Sequence, residues 1–186
     1  MKAVIWAAAL ALLAMPAMAE CYSGKPQQLT FNNGRVITII QRHGDDLTYT
    51  QPYEGFQDTV NKAHLMLFPK TARAGARSTE YRWTSALPKL SQMVPGYHFD
   101  VKGTMKSASG EALPYRSAGD VLRQDVVTVG DCPYDVMVVN STTYLDGQPI
   151  ITSTDYLSPA LGVVLRSETV PISAGTQIIQ TVVAIQ

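Results

Sequence analysis

Turn signals cut the chain after residue 20 about every ten residues, and the runs between them are short and rich in β-branched and aromatic residues. Asn32-Asn33-Gly34 separates Leu29-Thr30-Phe31 from Arg35 to Gln41, and Gly44-Asp45-Asp46 separates that run from Leu47 to Gln51. Such spacing specifies a meander of hairpins. Further strand-like runs are Ala63 to Phe68, Thr79 to Trp83, Tyr97 to Met105, Asp125 to Val129, Tyr134 to Tyr144, Pro149 to Leu157, Gly162 to Val170 and Gln177 to Ile185. Asp146-Gly147, between two of these, is a strong hairpin signal. Tyr97, Phe99 and Val101 alternate with His98, Asp100 and Lys102, as do Leu47 and Tyr49 with Thr48 and Thr50, the period of a strand with one wet face. Tyr134 to Val139 is apolar on both faces at its centre and is expected to be covered on both sides. No helical stripe runs through the chain. The single helix candidate is Ser85 to Met93, with Pro88 near its first turn and Pro95-Gly96 at its end. The expected fold is all-β: one antiparallel, strongly curved sheet, a half-barrel or incomplete barrel, with at most one or two short helices.

With 186 residues, 46% of them apolar, the chain has enough surface to bury one core. Fifteen Lys and Arg balance fifteen Asp and Glu, which removes the electrostatic case for a nucleic-acid-binding protein. Met1 to Ala19 reads as a signal peptide: Lys2, an apolar stretch from Ala3 to Met15, Pro16, and the small-residue ending Ala17-Met18-Ala19. That apolar stretch is too short for a membrane span and no later segment replaces it, so residues 20–186 are expected to form a single β domain without a transmembrane segment. The expected location is periplasmic or secreted. A lipobox would put the cut directly before Cys21, and Glu20 occupies that gap, which favours a soluble form over a lipidated one. Cys21 and Cys132 are the only cysteines, and in an oxidising compartment they are expected to pair.

Charge is uneven along the chain. From Glu20 to Gly119 there are 12 basic and 8 acidic residues; from Asp120 to Gln186 there are 2 and 7. Lys62, Lys70, Arg73 and Arg77 form a run with no acidic residue between Asp58 and Glu80, on a segment of Pro, Gly and Ala that reads as a loop. This loop is a candidate contact for an anionic surface or partner.

His43, His64 and His98 are the only ready metal ligands once the cysteines pair, and they show no His-x-His or His-Glu-x-x-His spacing. His98 lies on a polar strand face and His43 beside a turn, so both read as solvated, whereas His64 shares strand parity with Met66 and Phe68 and reads as partly buried. There is no Gly-x-Ser-x-Gly elbow and no Gly-rich phosphate cradle. Asp120, Asp125 and Asp131 flank Gly119 and Gly130 and fit turn capping better than acid–base work. The sequence therefore nominates no catalytic residue, no metal site and no cofactor.

Val129-Gly130-Asp131, Tyr134 to Val139, Asp146-Gly147 and Tyr156-Leu157-Ser158-Pro159-Ala160-Leu161-Gly162-Val163-Val164 carry a resemblance. Together they are similar to the C-terminal half of uncharacterised bacterial periplasmic proteins, in which a curved antiparallel sheet ends in a Tyr-x-Ser-Pro-x-Leu-Gly-x-Val strand–turn–strand. Those proteins resemble lipoprotein carriers and related half-barrels, whose concave face holds an acyl chain. The resemblance implies an exported, noncatalytic binding or assembly-accessory protein of the bacterial envelope, holding an apolar or amphipathic ligand on the concave face. A lipid or an envelope protein would be the partner. The matched positions are structural, so no site residue carries over. Two alternatives are an envelope enzyme using His43, His64 and His98, and a small outer-membrane β-barrel; the ending Ala184-Ile185-Gln186, without a terminal aromatic, speaks against the barrel.

Overall fold

The computed structural model of the chain describes residues 21–53, 56–108 and 110–186. Residues 1–19, read as a signal peptide, lie outside them. Twelve strands form one antiparallel sheet: β1 (Gln28–Phe31), β2 (Val36–His43), β3 (Asp46–Tyr53), β4 (Phe56–His64), β5 (Phe68–Ala74), β6 (Arg77–Trp83), β7 (His98–Ser107), β8 (Ala112–Val129), β9 (Cys132–Leu145), β10 (Gln148–Ser158), β11 (Val163–Pro171) and β12 (Ile178–Ile185). Each strand pairs with its neighbours in sequence, and β1 pairs with β12, so the sheet is a closed barrel.

Closure corrects the expectation of a half-barrel. An open sheet would leave β1 and β12 with unpaired backbone groups along two edges. Instead Leu29 pairs with Ile185 and Phe31 with Val182, and the Gln28 and Gln186 backbones exchange hydrogen bonds of 2.8 and 3.0 Å. Leu29, Phe31 and Val182 are 0%, 4% and 1% exposed, so the seam also buries apolar side chains.

Two local expectations are also corrected, and one strand proves longer than expected. Ala63 to Phe68 is not one strand: β4 stops at His64, and Leu65 and Met66 turn the chain with φ of 53° and 59°. Leu65 is buried among Phe68, Met93 and Phe99, and this burial holds a branched side chain in a backbone region it rarely adopts. Ser85 to Met93 carries only the 3₁₀ turn Leu90–Gln92. Asp125 to Val129 is the far end of the 18-residue β8.

The long β8–β9 hairpin explains why its centre is apolar on both faces. A bulge between Val121 and Arg123 switches which side chains of β8 face which side. Val121 and Val139 pack with Phe68, Phe99, Val101 and Leu157. Val127, Val129 and Val136 join Leu29, Phe31, Ile37, Leu47 and Val182 in a second cluster. The hairpin tip therefore packs across onto β1, β2, β3 and β12, strands distant from it in the sheet. Cys21 and Cys132 form a disulfide at this tip, with a Cα–Cα distance of 5.4 Å, and tie down the start of the described chain.

Candidate functional site in the barrel interior

Side chains directly opposite each other in an antiparallel pair share a face, so the register traces the inner wall from strand to strand. Tyr49 faces Asn61, Gly103 faces Tyr115, Ser117 faces Thr143, Ser141 faces Ser153, and Asp155 faces Ser167. Phe99, Val101 and Val121 lie on this same face and are buried, which identifies it as the inside. Towards the end with the hairpin tip the interior is filled by the two apolar clusters. At mid-height it is lined by hydroxyls, tyrosines and one carboxyl group. Tyr49, Tyr81, Tyr115, Ser153, Asp155 and Ser167 all keep part of their surface accessible. Deep side chains that retain accessible surface line a lumen rather than a packed core.

The polar wall is hydrogen-bonded to itself. Ser141 and Ser153 hydroxyls lie 3.0 Å apart, Ser153 donates to Asp155 Oδ2 at 2.9 Å, and Ser167 and Thr169 hydroxyls are 3.2 Å apart. Burial raises the pKa of Asp155, outweighing the hydrogen bonds from Ser167 and Ser153 that lower it. Burial likewise raises Tyr49, Tyr81 and Tyr115. The Tyr115 ring meets those of Tyr81 and Trp83 edge-on at 5.0 and 5.3 Å, forming an aromatic ledge. Gly119 is required where it stands, because a Cβ would run into the Asn140 backbone oxygen and the Phe99 ring.

None of these lumen residues was singled out from the sequence. Their one signal is weak: polar residues recur at alternate positions in Ser141 and Thr143, Ser153 and Asp155, Ser167 and Thr169. The outward positions between them, Thr142, Thr154 and Glu168, are polar too, so alternation alone does not mark an inside.

The three histidines do not form one group. His98 Nδ1 lies 2.9 Å from Asp120 Oδ1 on the exposed outer wall. His43 and His64 border a cleft of about 770 Å³ that also involves Asp46, Lys70, Tyr81, Trp83 and Lys89. There Asp46 takes His64 Nδ1 at 2.7 Å and Lys70 Nζ at 2.5 Å on its two oxygens. His64 Nε2 faces the Pro88 carbonyl at 2.8 Å, and Leu90 N–H donates to Asp45 at 2.9 Å. These contacts pin the segment between β6 and β7 to the β2–β3 turn. Burial works to raise the Asp46 pKa, but the bonds from Lys70 and His64 prevail and hold it below the ordinary carboxylate range. Both His64 nitrogens are engaged, whereas His43, at the edge of the same cleft, is exposed.

Lys62, Lys70, Arg73 and Arg77 do not lie on a loop, a further correction. They occupy β4, β5 and β6, because Phe68 to Ala74 pairs with β4 and its Thr71 to Ala74 part pairs with β6 as well. Lys70 is committed to Asp46, while Lys62, Arg73 and Arg77 are exposed. Among the described residues no three His, Cys, Asp or Glu side chains are grouped to hold a metal ion, and no helix is long and apolar enough to cross a membrane.

No family model matches the chain, and no curated protein matches it. Among solved structures, the crystal structure of the hypothetical lipoprotein YmcC from Escherichia coli (K12) is similar with a TM-score of 0.55 and 10% identity, over 84% of this chain and 82% of that one. At this identity the likeness is one of fold.

Proposed function

We propose that this chain is an exported, noncatalytic binding protein of the bacterial envelope that holds an amphipathic ligand inside its barrel. One observation carries the reading: mid-height inner-wall side chains, Tyr49, Tyr115, Ser153 and Asp155 among them, stay partly accessible above apolar clusters that fill the other end. Apolar and polar groups share this wall, since Met105, Leu113 and Ile151 face the same space and are partly exposed. That mixture suits a ligand with both characters. Export is supported by the Cys21–Cys132 disulfide, which persists in oxidising compartments, and the similar structure is described as a hypothetical lipoprotein, a class of the envelope.

Closure into twelve strands also bears on the membrane-barrel alternative. A membrane-spanning barrel presents an apolar band to lipid. Here the outer wall carries exposed Lys62, Glu80, Arg82, Asp100, Lys102 and Asp120, which favours a barrel surrounded by water.

The test is saturable binding of the uncharged dye N-phenyl-1-naphthylamine, with Ser153→Trp as the variant that fills the lumen. Wild type should bind about one dye per chain, and folded Ser153→Trp should bind none. Absence of binding by wild type, or binding untouched by the blocking residue, overturns the reading. Native mass spectrometry of protein isolated from its own envelope would then identify the natural occupant.

A further inference from the structure

We propose that Arg35 is the anion anchor of this lumen, so that the ligand carries an acidic group, a carboxylate, phosphate or sulfate, on a partly apolar body. The inference rests on the barrel interior being the binding site and names the chemistry of its occupant.

Arg35 is placed on the inner wall by its backbone. Phe31 N–H donates to the Arg35 carbonyl at 2.8 Å, and alternation puts Arg35 on the face of the buried Ile37 and Ile39. Its guanidinium carbon lies 4.6 Å from the centre of the Phe31 ring, which is itself 4% exposed. Arg82, Arg116, Arg123 and Arg166 each have a carboxylate within ion-pair distance. Arg35 has none among the described residues, and its Nε is buried without a hydrogen-bond partner. Arg42, also half-buried, donates to the Pro26 carbonyl. Arg166 Nε is buried without a partner as well, but Arg166 holds Glu168; Arg35 is the half-buried guanidinium with neither a described carboxylate nor a partner for its Nε.

The ring face of Phe31 offsets part of the cost of burying that guanidinium, but as an acceptor for the Nε–H it is weaker than an oxygen. Nor does the inner-wall carboxyl reach Arg35: Asp155 forms no ion pair with it and accepts from Ser153 instead. On the neighbouring inner wall Thr59 is 5% exposed and its hydroxyl is also unpartnered. Buried polar groups are normally satisfied, and a buried charge needs a partner. An acidic group entering the lumen meets the Arg35 fork, the geometry suited to carboxylate, phosphate and sulfate oxygens.

Two dyes with the same aromatic body separate this inference from the reading beneath it. Wild type should bind anionic 1-anilinonaphthalene-8-sulfonate more tightly than uncharged N-phenyl-1-naphthylamine. In Arg35→Gln the sulfonate should weaken about tenfold, as a lost charge contact of about 1.4 kcal/mol gives, with the neutral dye changed less than about twofold. Arg35→Met, which keeps an apolar stem over Phe31, should show the same split should the Gln variant fold poorly. Arg35→Lys should recover part of the sulfonate affinity, and the double variant Lys25→Gln, Arg42→Gln should leave it unchanged. Folded Arg35 variants that lose both dyes equally, or neither, overturn the anion anchor and leave the lumen reading intact. A wild type that binds neither dye overturns both.

Discussion

Asp46 Oδ1 lies 2.7 Å from His64 Nδ1, joining β3 to β4 at the point where the segment before β7 crosses them. The Asp46 carboxyl holds a lowered pKa in the fold. A depressed carboxylate pKa stabilises the protein above the unfolded value of about 3.9, and this stabilisation is lost as pH falls through the folded value. Asp46→Asn should cost about 1 kcal/mol at pH 7, a partly exposed contact being screened by solvent. The gap should narrow in urea titrations as pH falls below about 3.9 and through the folded value. An Asn variant as stable as wild type at pH 7 would show that the contact does not hold the segment.

Asp155 has the opposite sign. Its folded pKa is raised by burial, so the carboxyl destabilises the fold as pH rises from the unfolded value through the folded one. Asp155→Asn should therefore be more stable than wild type at pH 7, with the difference shrinking as pH falls towards 4. Thermal melts of the two proteins across this range check the sign. A less stable Asn variant at neutral pH would place the carboxylate in a charged, paired role instead.

The disulfide closes 111 residues of sequence separation, worth on the order of 4 to 5 kcal/mol in the chain-entropy model. Reduction should lower the melting temperature strongly, and thiol titration of denatured, unreduced protein should find no free thiol. Two reactive thiols would contradict the pairing.

Barrel closure is testable at individual amides. Gln28 and Gln186 exchange backbone hydrogen bonds across the β1–β12 seam, so both amides should resist hydrogen exchange although they lie in or beside the first and last strands. Rapid exchange at both would mean that the sheet is open in solution.

Core packing gives a fifth measurement. Leu157 is 0% exposed between β9 and β11, whereas Ile40 is 60% exposed. Leu157→Ala should cost about 2–5 kcal/mol, and Ile40→Ala about 0.5 kcal/mol or less. Equal costs would contradict the assignment of inside and outside.

Much of this protein was legible locally. Turn residues such as Asn33-Gly34 and Asp146-Gly147 set hairpins because their backbone preferences act over four residues. The wet and dry faces of β7 follow from the alternation of Phe99 and Val101 with Asp100 and Lys102, and the two cysteines named each other by being alone. Closure was not legible, since it depends on β1, four residues long, meeting a strand about 150 residues away, as Thr181 N–H meets Asn32 across a separation of 149. The lumen was hidden for the same reason. Ser153 and Asp155 point inward and Thr152 and Thr154 outward, and with polar residues on both faces the strand has no preferred inside until the barrel closes. Arg35, beside Asn33 and Gly34, reads in sequence as an ordinary charge at a turn; only the folded wall brings it over Phe31, half-buried and without an ion-pair partner among the described residues.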